Sequence, residues 1–381
     1  MRIIKTLLTL FVLMTTSSRA ADSFLQAIEP RALQFPRDHA SHAGFQTEWW
    51  YFTGNLKSQS GREFGYQFTI FRRALDPQVA TKRGRTSKWA ADDFYMGHLA
   101  ISDLGAKKFY FKEELHRGVL DIAGATDASD VSGDQTPVRV WMGNWEMKCE
   151  KNIWTVRASS GEISIDLKLD QDRAPVLHGR LGETGLSRKG PNSGQASYYY
   201  SLIGLKTSGT ISIGAERHAI ASGLSWMDHE YGSNQLSSGQ TGWDWFSMQF
   251  DDGSALMIYL LRLENGNFEP SSSGTWVDAA GKARYLELND IKATRGRTWT
   301  SPKSGGQYAL GWTIEIPRFN VKLEIDAAQD DQEINAARMG KISYYEGAIR
   351  VSGTSAEKTI RGTGYLEITG ASGNRGLGGK L

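Results

Sequence analysis

Asp228, His229, Glu230 and Tyr231 stand in one run after Trp226 and set an imidazole between two carboxyls. Imidazole titrates near neutrality, so His229 can shuttle a proton or be fixed in one tautomer by its neighbours. The alternative is structural, with the same groups joining two domains through a buried polar network. Asp38, His39 and His42, with Glu48 downstream, offer imidazole and carboxylate oxygen to a divalent cation. Their spacing matches no zinc signature, so the expectation is no metal and a loop that closes a barrel mouth or lends polar groups to a site. Asp244 lies between Trp243 and Trp245. An acid there is costly to bury unless paired, which makes it the second choice for a chemical carboxylate. His98 reads as a half-buried strand histidine able to join either cluster. Ser225, in GLSWM, lacks the second glycine of a nucleophile elbow, and serine hydrolysis is set aside.

The elements that must hold these groups are strands. Glycine is abundant at 42 and proline scarce at 9, which suits short strands joined by glycine turns. From Phe64 to Phe71 the residues Phe64, Tyr66, Phe68 and Ile70 alternate with Gly65, Gln67 and Thr69. Ile163, Ile165, Leu167 and Leu169 alternate in the same way after a turn at Ser159 to Gly161. The one segment that reads as a short helix, with a loop as the alternative, lies around Asp330 to Met339.

The second half repeats the first. TEWWYF from Thr47 matches TGWDWF from Thr241, and the strand that follows each ends in Arg72 or Arg262. WTV at Trp154 is echoed by WTI at Trp312, SYYYSLIGLKTSGT from Ser197 by SYYEGAIRVSGT from Ser343, and IASGLSW from Ile220 by IRGTGYL from Ile360. Matched blocks in one order imply two domains of common ancestry, with a boundary near Leu236 to Gln240. Where the first half has Asp228, His229 and Glu230, the second reads Glu367, Ile368 and Thr369. A closed antiparallel barrel leaves no sheet edges, and its interior can hold one small ligand.

Residues 1–20 read as an export leader: Arg2 and Lys5 precede an apolar run from Thr6 to Met14, with Ser18 and Ala20 before the cut. No later stretch reaches the roughly 18 apolar residues of a membrane span. The single cysteine, Cys149, can form no intrachain disulfide and does not sit where a lipid anchor would attach. Loss of the leader brings 44 basic residues to 41 against 42 acidic ones. That balance gives no electrostatic footprint for nucleic acid. Lys82, Arg83, Arg85 and Lys88 then read as a solvated loop.

Longer stretches carry a family resemblance: FPRDHASHAGFQTEWWYFTGNL from Phe35, MGHLAISD from Met96, WMDHEYGSNQL from Trp226 and GWDWFSMQFDDGSALMIYLLR from Gly242. Through them the chain resembles the AttH and carotenoid 1,2-hydratase family over nearly all of its mature length. The resemblance implies a two-domain lipocalin-like (calycin) architecture, and relatives that include carotenoid hydratases, natural-product cyclases and secreted proteins associated with ABC transport. It also implies that an early tryptophan, Trp49 or Trp243, packs against a late-strand arginine on a barrel floor. The hydratases use a His-x-Trp pair, which falls on His229 and Tyr231. They also use a tyrosine and an acid, which fall near Tyr259 and Leu261; no carboxylate lies between Met257 and Arg262.

The resulting expectation is an all-β protein of two tandem lipocalin-like antiparallel β-barrel domains related by internal duplication. A leader occupies 1–20, one domain 21–236 and the other 237–381. The function expected is that of a secreted or periplasmic protein binding a hydrophobic small molecule, a lipid or isoprenoid, with an ABC transporter component as candidate partner. The alternative is a cofactor-independent hydratase, isomerase or cyclase working by acid catalysis. Catalytic candidates are Asp228, His229, Glu230 and Asp244; ligand-binding candidates are Glu48, Trp50, His98, Trp226, Tyr231, Trp245 and Tyr259. Neither cofactor, metal, nucleic acid nor membrane span is expected. Asp228, His229 and Glu230 should form the polar end of one apolar pocket in the first domain. Replacing His229 with alanine should then weaken binding at little cost in stability.

Overall fold

Alternation along Thr47–Ser58 divides its side chains between two cores. In the computed structural model, which describes residues 23–77, 87, 89–234, 237, 239–338 and 341–372, this strand pairs with Glu63–Ala74 on one side and with Glu216–Gly232 on the other. The expected leader, the basic cluster Lys82, Arg83, Arg85 and Lys88, and Leu236 at the expected boundary lie outside the described residues. Trp50, Phe52 and Leu56 point into one core, while Tyr51 belongs to another on the opposite face. The alternation read at Phe64 to Ile70 has the same meaning: Phe64, Tyr66, Phe68 and Ile70 fill the first core.

The first sheet runs Lys108–Arg117, Asp93–Asp103, Glu63–Ala74, Thr47–Ser58, Glu216–Gly232, Ala196–Ile213, Ile163–Asp170, Ile153–Ser160, Trp145–Glu150, Val138–Met142, Ala123–Ala125. Its ends curl together, with Lys108–Arg117 touching Val138–Met142, so the barrel is nearly closed. The second sheet runs Ala283–Glu287, Ser273–Val277, Ala255–Leu263, Gln240–Phe250, Lys358–Ile368, Ile342–Ser355, Val321–Ala327, Gly311–Ile316, Lys292–Arg295. Each sheet joins its first strand to its last, as barrel closure requires. The repeat therefore has a structural counterpart: Tyr51 stands opposite Asp228 as Trp245 stands opposite Glu367.

Side chains fill both interiors. Trp50, Phe68, Trp145 and Trp154 lie in the first, and Phe246, Ile258, Trp312 and Leu366 in the second. A third apolar cluster lies between the barrels, where Tyr51, Tyr199 and Trp226 meet Trp245, Met257, Tyr259 and Tyr365. Burying each such side chain contributes about 1.5–3 kcal/mol, enough to make the two barrels one body. Gly65 permits the approach. A Cβ there would lie 2.7 Å from the Tyr365 hydroxyl and 2.8 Å from the Ala348 Cβ.

Two expectations are corrected. The helix expected around Asp330 to Met339 is instead a short strand, Glu333–Ala336, paired with Ile342–Ser355. Ile334 and Ala336 alternate onto a small core beside Ala100 and Tyr344, a period of two that the polar neighbours obscured. Trp49 and Trp243 do occupy matching places, but they pack against the cluster between the barrels. The tryptophan of this first strand that points into the barrel is Trp50, whose Nε1 donates to the His39 carbonyl at 2.9 Å. Among the described residues no helix is long and apolar enough to cross a membrane.

Candidate functional site

Pairing of Glu216–Gly232 with Thr47–Ser58 places His229 opposite Trp50, and Asp228 opposite Tyr51. Consecutive strand residues face opposite ways. The acid–His–acid run is therefore split, with His229 inside the first barrel and Asp228 and Glu230 on the face turned to the second. The pocket that was expected to gather all three does not form.

Inside the barrel, Glu48 Oε1 accepts from two imidazoles, at 2.8 Å from His42 Nδ1 and 2.8 Å from His229 Nε2. His42 Nε2 reaches Asp38 Oδ1 at 3.0 Å, and Arg31 also pairs with Asp38. Arg72 Nη1 lies 3.3 Å from Glu48 Oε2. The Tyr200 hydroxyl bridges His39 Nδ1 at 2.6 Å and His229 Nδ1 at 3.0 Å. Tyr231 stacks on His42 at 3.6 Å. Burial opposes charge on His42, yet Glu48 and Asp38 outweigh it and raise its affinity for a proton. Burial likewise opposes charge on Glu48, but His42 and the His229 hydrogen bond hold its carboxyl below the usual range. Ligand atoms of His42, Glu48 and His229 lie within 4.8 Å of one another, the geometry a cation would use. Here the Glu48 oxygen sits between the two nitrogens as a shared acceptor, so a proton on His42 completes the cluster.

Between the barrels the chemistry differs. Asp228 Oδ2 accepts from the Tyr199 hydroxyl at 2.5 Å, and Oδ1 from Trp226 Nε1 at 2.6 Å and from Ser201. Burial drives its pKa up to about 7, against the pull of those hydrogen bonds. From the second barrel, Glu367 Oε2 accepts from Trp243 Nε1 at 2.9 Å. Burial pushes Glu367 up to about 7 as well, with the charges of Asp228 and Glu230 adding to it. Glu346, beside Glu367 in the sheet, takes the Tyr51 hydroxyl on Oε1 at 2.6 Å. Burial, and then the charge of Glu367, hold Glu346 well above the ordinary carboxylate range. Glu230 accepts from Ser197 and lies 3.2 Å from the buried Lys189 ammonium, which stands 3.8 Å from the Tyr259 ring centroid.

The other expected residues are dispersed. Asp244 points into the second barrel and pairs with Arg262 and, at 2.9 Å, with Arg295 Nη2. The cost of burying it is thus met by two guanidiniums away from the other acids. His98 lies between the barrels, its Nδ1 2.7 Å from the Tyr344 hydroxyl, and burial lowers its pKa to about 3. Trp226, Trp245 and Tyr259 all join the cluster between the barrels, whereas Glu48, Trp50 and Tyr231 stay with His229. Ser225 hydrogen-bonds Tyr66 and Thr207, and no histidine contacts it among these partners.

Reasoning from sequence missed Glu346, Glu367, Lys189, Tyr51 and Tyr199. Glu367 was visible as the acid standing where the first half has Asp228. No carboxylate lies between Met257 and Arg262 in the chain, where the hydratase resemblance points to one, although the buried Glu269 bonds the Leu261 carbonyl through its backbone N–H at 2.8 Å. The carboxyls that this interface takes from the second barrel come from Lys358–Ile368 and Ile342–Ser355, facing Asp228 and Glu230 of the first.

A family model described as AttH-like matches residues 26–371. The crystal structure of an AttH protein from Nitrosomonas europaea is 30% identical, covers 91% of this chain and 100% of that one, and superposes with a TM-score of 0.77. Kievitone hydratase of Fusarium solani subsp. phaseoli is 25% identical over 221 residues, 57% of this chain and 60% of the relative. Dehydratase asqC of Emericella nidulans is 22% identical over 219 residues, 56% of this chain and 60% of the relative. The chain thus matches about 60% of the length of these two curated relatives. With the family model spanning both barrels, this protein belongs to the AttH-like family.

Proposed function

We propose that this protein adds water to, or removes water from, a hydrophobic small molecule held between the two barrels. The observation that carries the reading is the set of buried acids there: Asp228 and Glu367, from matching places in the two halves, are pushed up to about 7, and burial holds Glu346 well above the ordinary carboxylate range. Acids and bases work best when their pKa lies near the working pH. The relatedness to a hydratase and a dehydratase supports the same chemistry over the carrier role.

In the dehydrating direction, ionised Asp228 takes a proton from carbon while the neighbouring C–O bond breaks. The C–H electron pair becomes the new double bond. Glu346 gives its proton to the departing oxygen, which leaves as water. Hydration is the reverse. Charge that develops on substrate carbon faces Trp226, Trp245 and Tyr199, whose ring faces favour positive charge. A groove of about 170 Å³, lined by Asn55, Phe64, Gly223, Arg350 and Thr363, opens where residues of the two barrels meet. Export through a membrane, drawn from residues 1–20, belongs to this reading as well.

The test is incubation of the full chain with a lipophilic extract of its source organism, and with kievitone, in H2(18)O. Mass spectrometry should find a product that has gained labelled water or lost water, made by wild type and not by Asp228→Asn. An extract left unchanged, or changed equally by that variant, refutes the reading.

A further inference from the structure

The strand Glu63–Ala74 lies face to face on Ile342–Ser355, and the contacts give the stacking register. Arg350 Nη2 donates to Glu63 Oε2 at 2.6 Å. A Cβ at Gly65 would meet the Ala348 Cβ at 2.8 Å. His98, the sheet neighbour of Thr69, meets the Tyr344 hydroxyl at 2.7 Å. Two residues forward on one strand is two residues back on the other. Gln67 therefore faces Glu346.

Both side chains are buried and each has one oxygen without a partner, Gln67 Oε1 and Glu346 Oε2. Their other atoms are committed. Gln67 Nε2 donates to Thr69 Oγ1, and Glu346 Oε1 accepts from Tyr51. Buried polar atoms are normally satisfied, and two such oxygens opposed across an interface call for a group between them. A hydroxyl fits both: it donates to the Gln67 carbonyl and meets Glu346 at Oε2, the oxygen that carries the proton whenever the carboxyl is protonated, because Oε1 already takes the tyrosine.

We propose that Gln67 Oε1 and Glu346 Oε2 form the hydroxyl subsite, where the water that is added or removed sits and where a substrate alcohol oxygen is held before it leaves. This rests on the hydration and dehydration reading above and names its reacting end. The substrate is an uncharged alcohol or alkene on an apolar body, since an anionic group there would face Asp228, Glu346 and Glu367 together. During elimination the proton of Glu346 Oε2 passes to the alcohol oxygen as its bond to carbon breaks, and Asp228 receives the proton from the adjacent carbon. Glu346 ends ionised and Asp228 protonated, and the reverse addition restores both. Gln67 exchanges no proton. It holds the O–H so that the oxygen lone pair faces Glu346.

The experiment is a crystal structure of the full chain at a resolution that shows water, for wild type and Gln67→Leu, with turnover of both measured on whichever extract component wild type converts. The expected result is a water within hydrogen-bond distance of both oxygens in wild type and absent from the variant, together with a kcat reduced about tenfold or more and a KM little changed. A Gln67 amide donating directly to Glu346 with no water between them overturns the subsite, as does a variant with undiminished kcat. Loss of turnover in Asp228→Asn alongside either of those results leaves the wider reading standing and removes only the subsite.

Discussion

The Tyr51 hydroxyl donates to Glu346 Oε1 at 2.6 Å and so ties the first strand of one barrel to the penultimate strand of the other. Tyr51 also stands opposite Asp228 in its own sheet. One tyrosine thus has at its tip an acid held well above the carboxylate range and at its side one pushed up to about 7, and this is the ground for proposing proton transfer at the interface rather than in either barrel interior.

Asp228→Asn and Glu346→Gln should each lower turnover by about 10²–10⁴-fold, the usual worth of a positioned acid or base. Both replacements are near in shape to the protonated side chain. Denaturant unfolding should therefore show midpoints close to wild type, and a collapse in stability alongside the lost activity would point to a packing role instead.

Stability should depend on pH through the same acids. Asp228 and Glu367 rise from 3.8 and 4.5 to about 7 in the folded chain, so between those limits the native state binds more protons than the unfolded one. Their contribution is present below the unfolded values, is lost as pH climbs from about 4 to about 7, and is level above that. Urea midpoints across that window should fall less steeply in the Asp228→Asn, Glu367→Gln double variant. An unchanged slope would show that these groups are ordinary carboxylates.

His229→Ala is expected to destabilise the protein by about 3–5 kcal/mol, because it breaks a buried, hydrogen-bonded cluster and leaves Glu48 and Tyr200 without a shared partner. This reverses the expectation drawn from sequence, in which His229 belonged to a ligand pocket and cost little to remove. Unfolding curves decide between the two.

Chelation with EDTA should leave the melting temperature unchanged, since the His42, Glu48 and His229 cluster is completed by a proton. A ligand bound only to the native state raises apparent stability, so a drop reversed by zinc would identify a bound cation.

Gly65→Ala should cost about 1–3 kcal/mol by forcing the barrels apart at Tyr365 and Ala348. Little change would mean that the two sheets are less tightly stacked at this point.

The barrels were legible because a period of two at Phe64 to Ile70 and the matched blocks of the two halves are local signals. The split of Asp228 from His229 was legible too, since strand neighbours must diverge, but the run was read as a cluster. Glu367 stands in the sequence where the first half has Asp228, but with no histidine beside it the equivalence shows only in the sheet register. Glu346 was hidden because the SYYE block, set against SYYY, pairs it with Tyr200, whereas the sheet register sets Glu346 beside Glu367 as Ser201 stands beside Asp228. Lys189 lies just beyond the short strand Leu186–Arg188, where no periodicity marks it. Packing of one sheet on another is long-range information, and nothing in a single strand encodes it.

The most direct measurement is the carboxyl region of the infrared spectrum, recorded from pH 5 to 9 for wild type, Asp228→Asn, Glu367→Gln and Glu346→Gln. The account predicts protonated carboxyl bands that titrate near pH 7 and are diminished in the Asp228 and Glu367 variants, with a further band that titrates well above the ordinary carboxylate range and disappears in Glu346→Gln. A wild-type spectrum with every carboxyl ionised by pH 6 would contradict it.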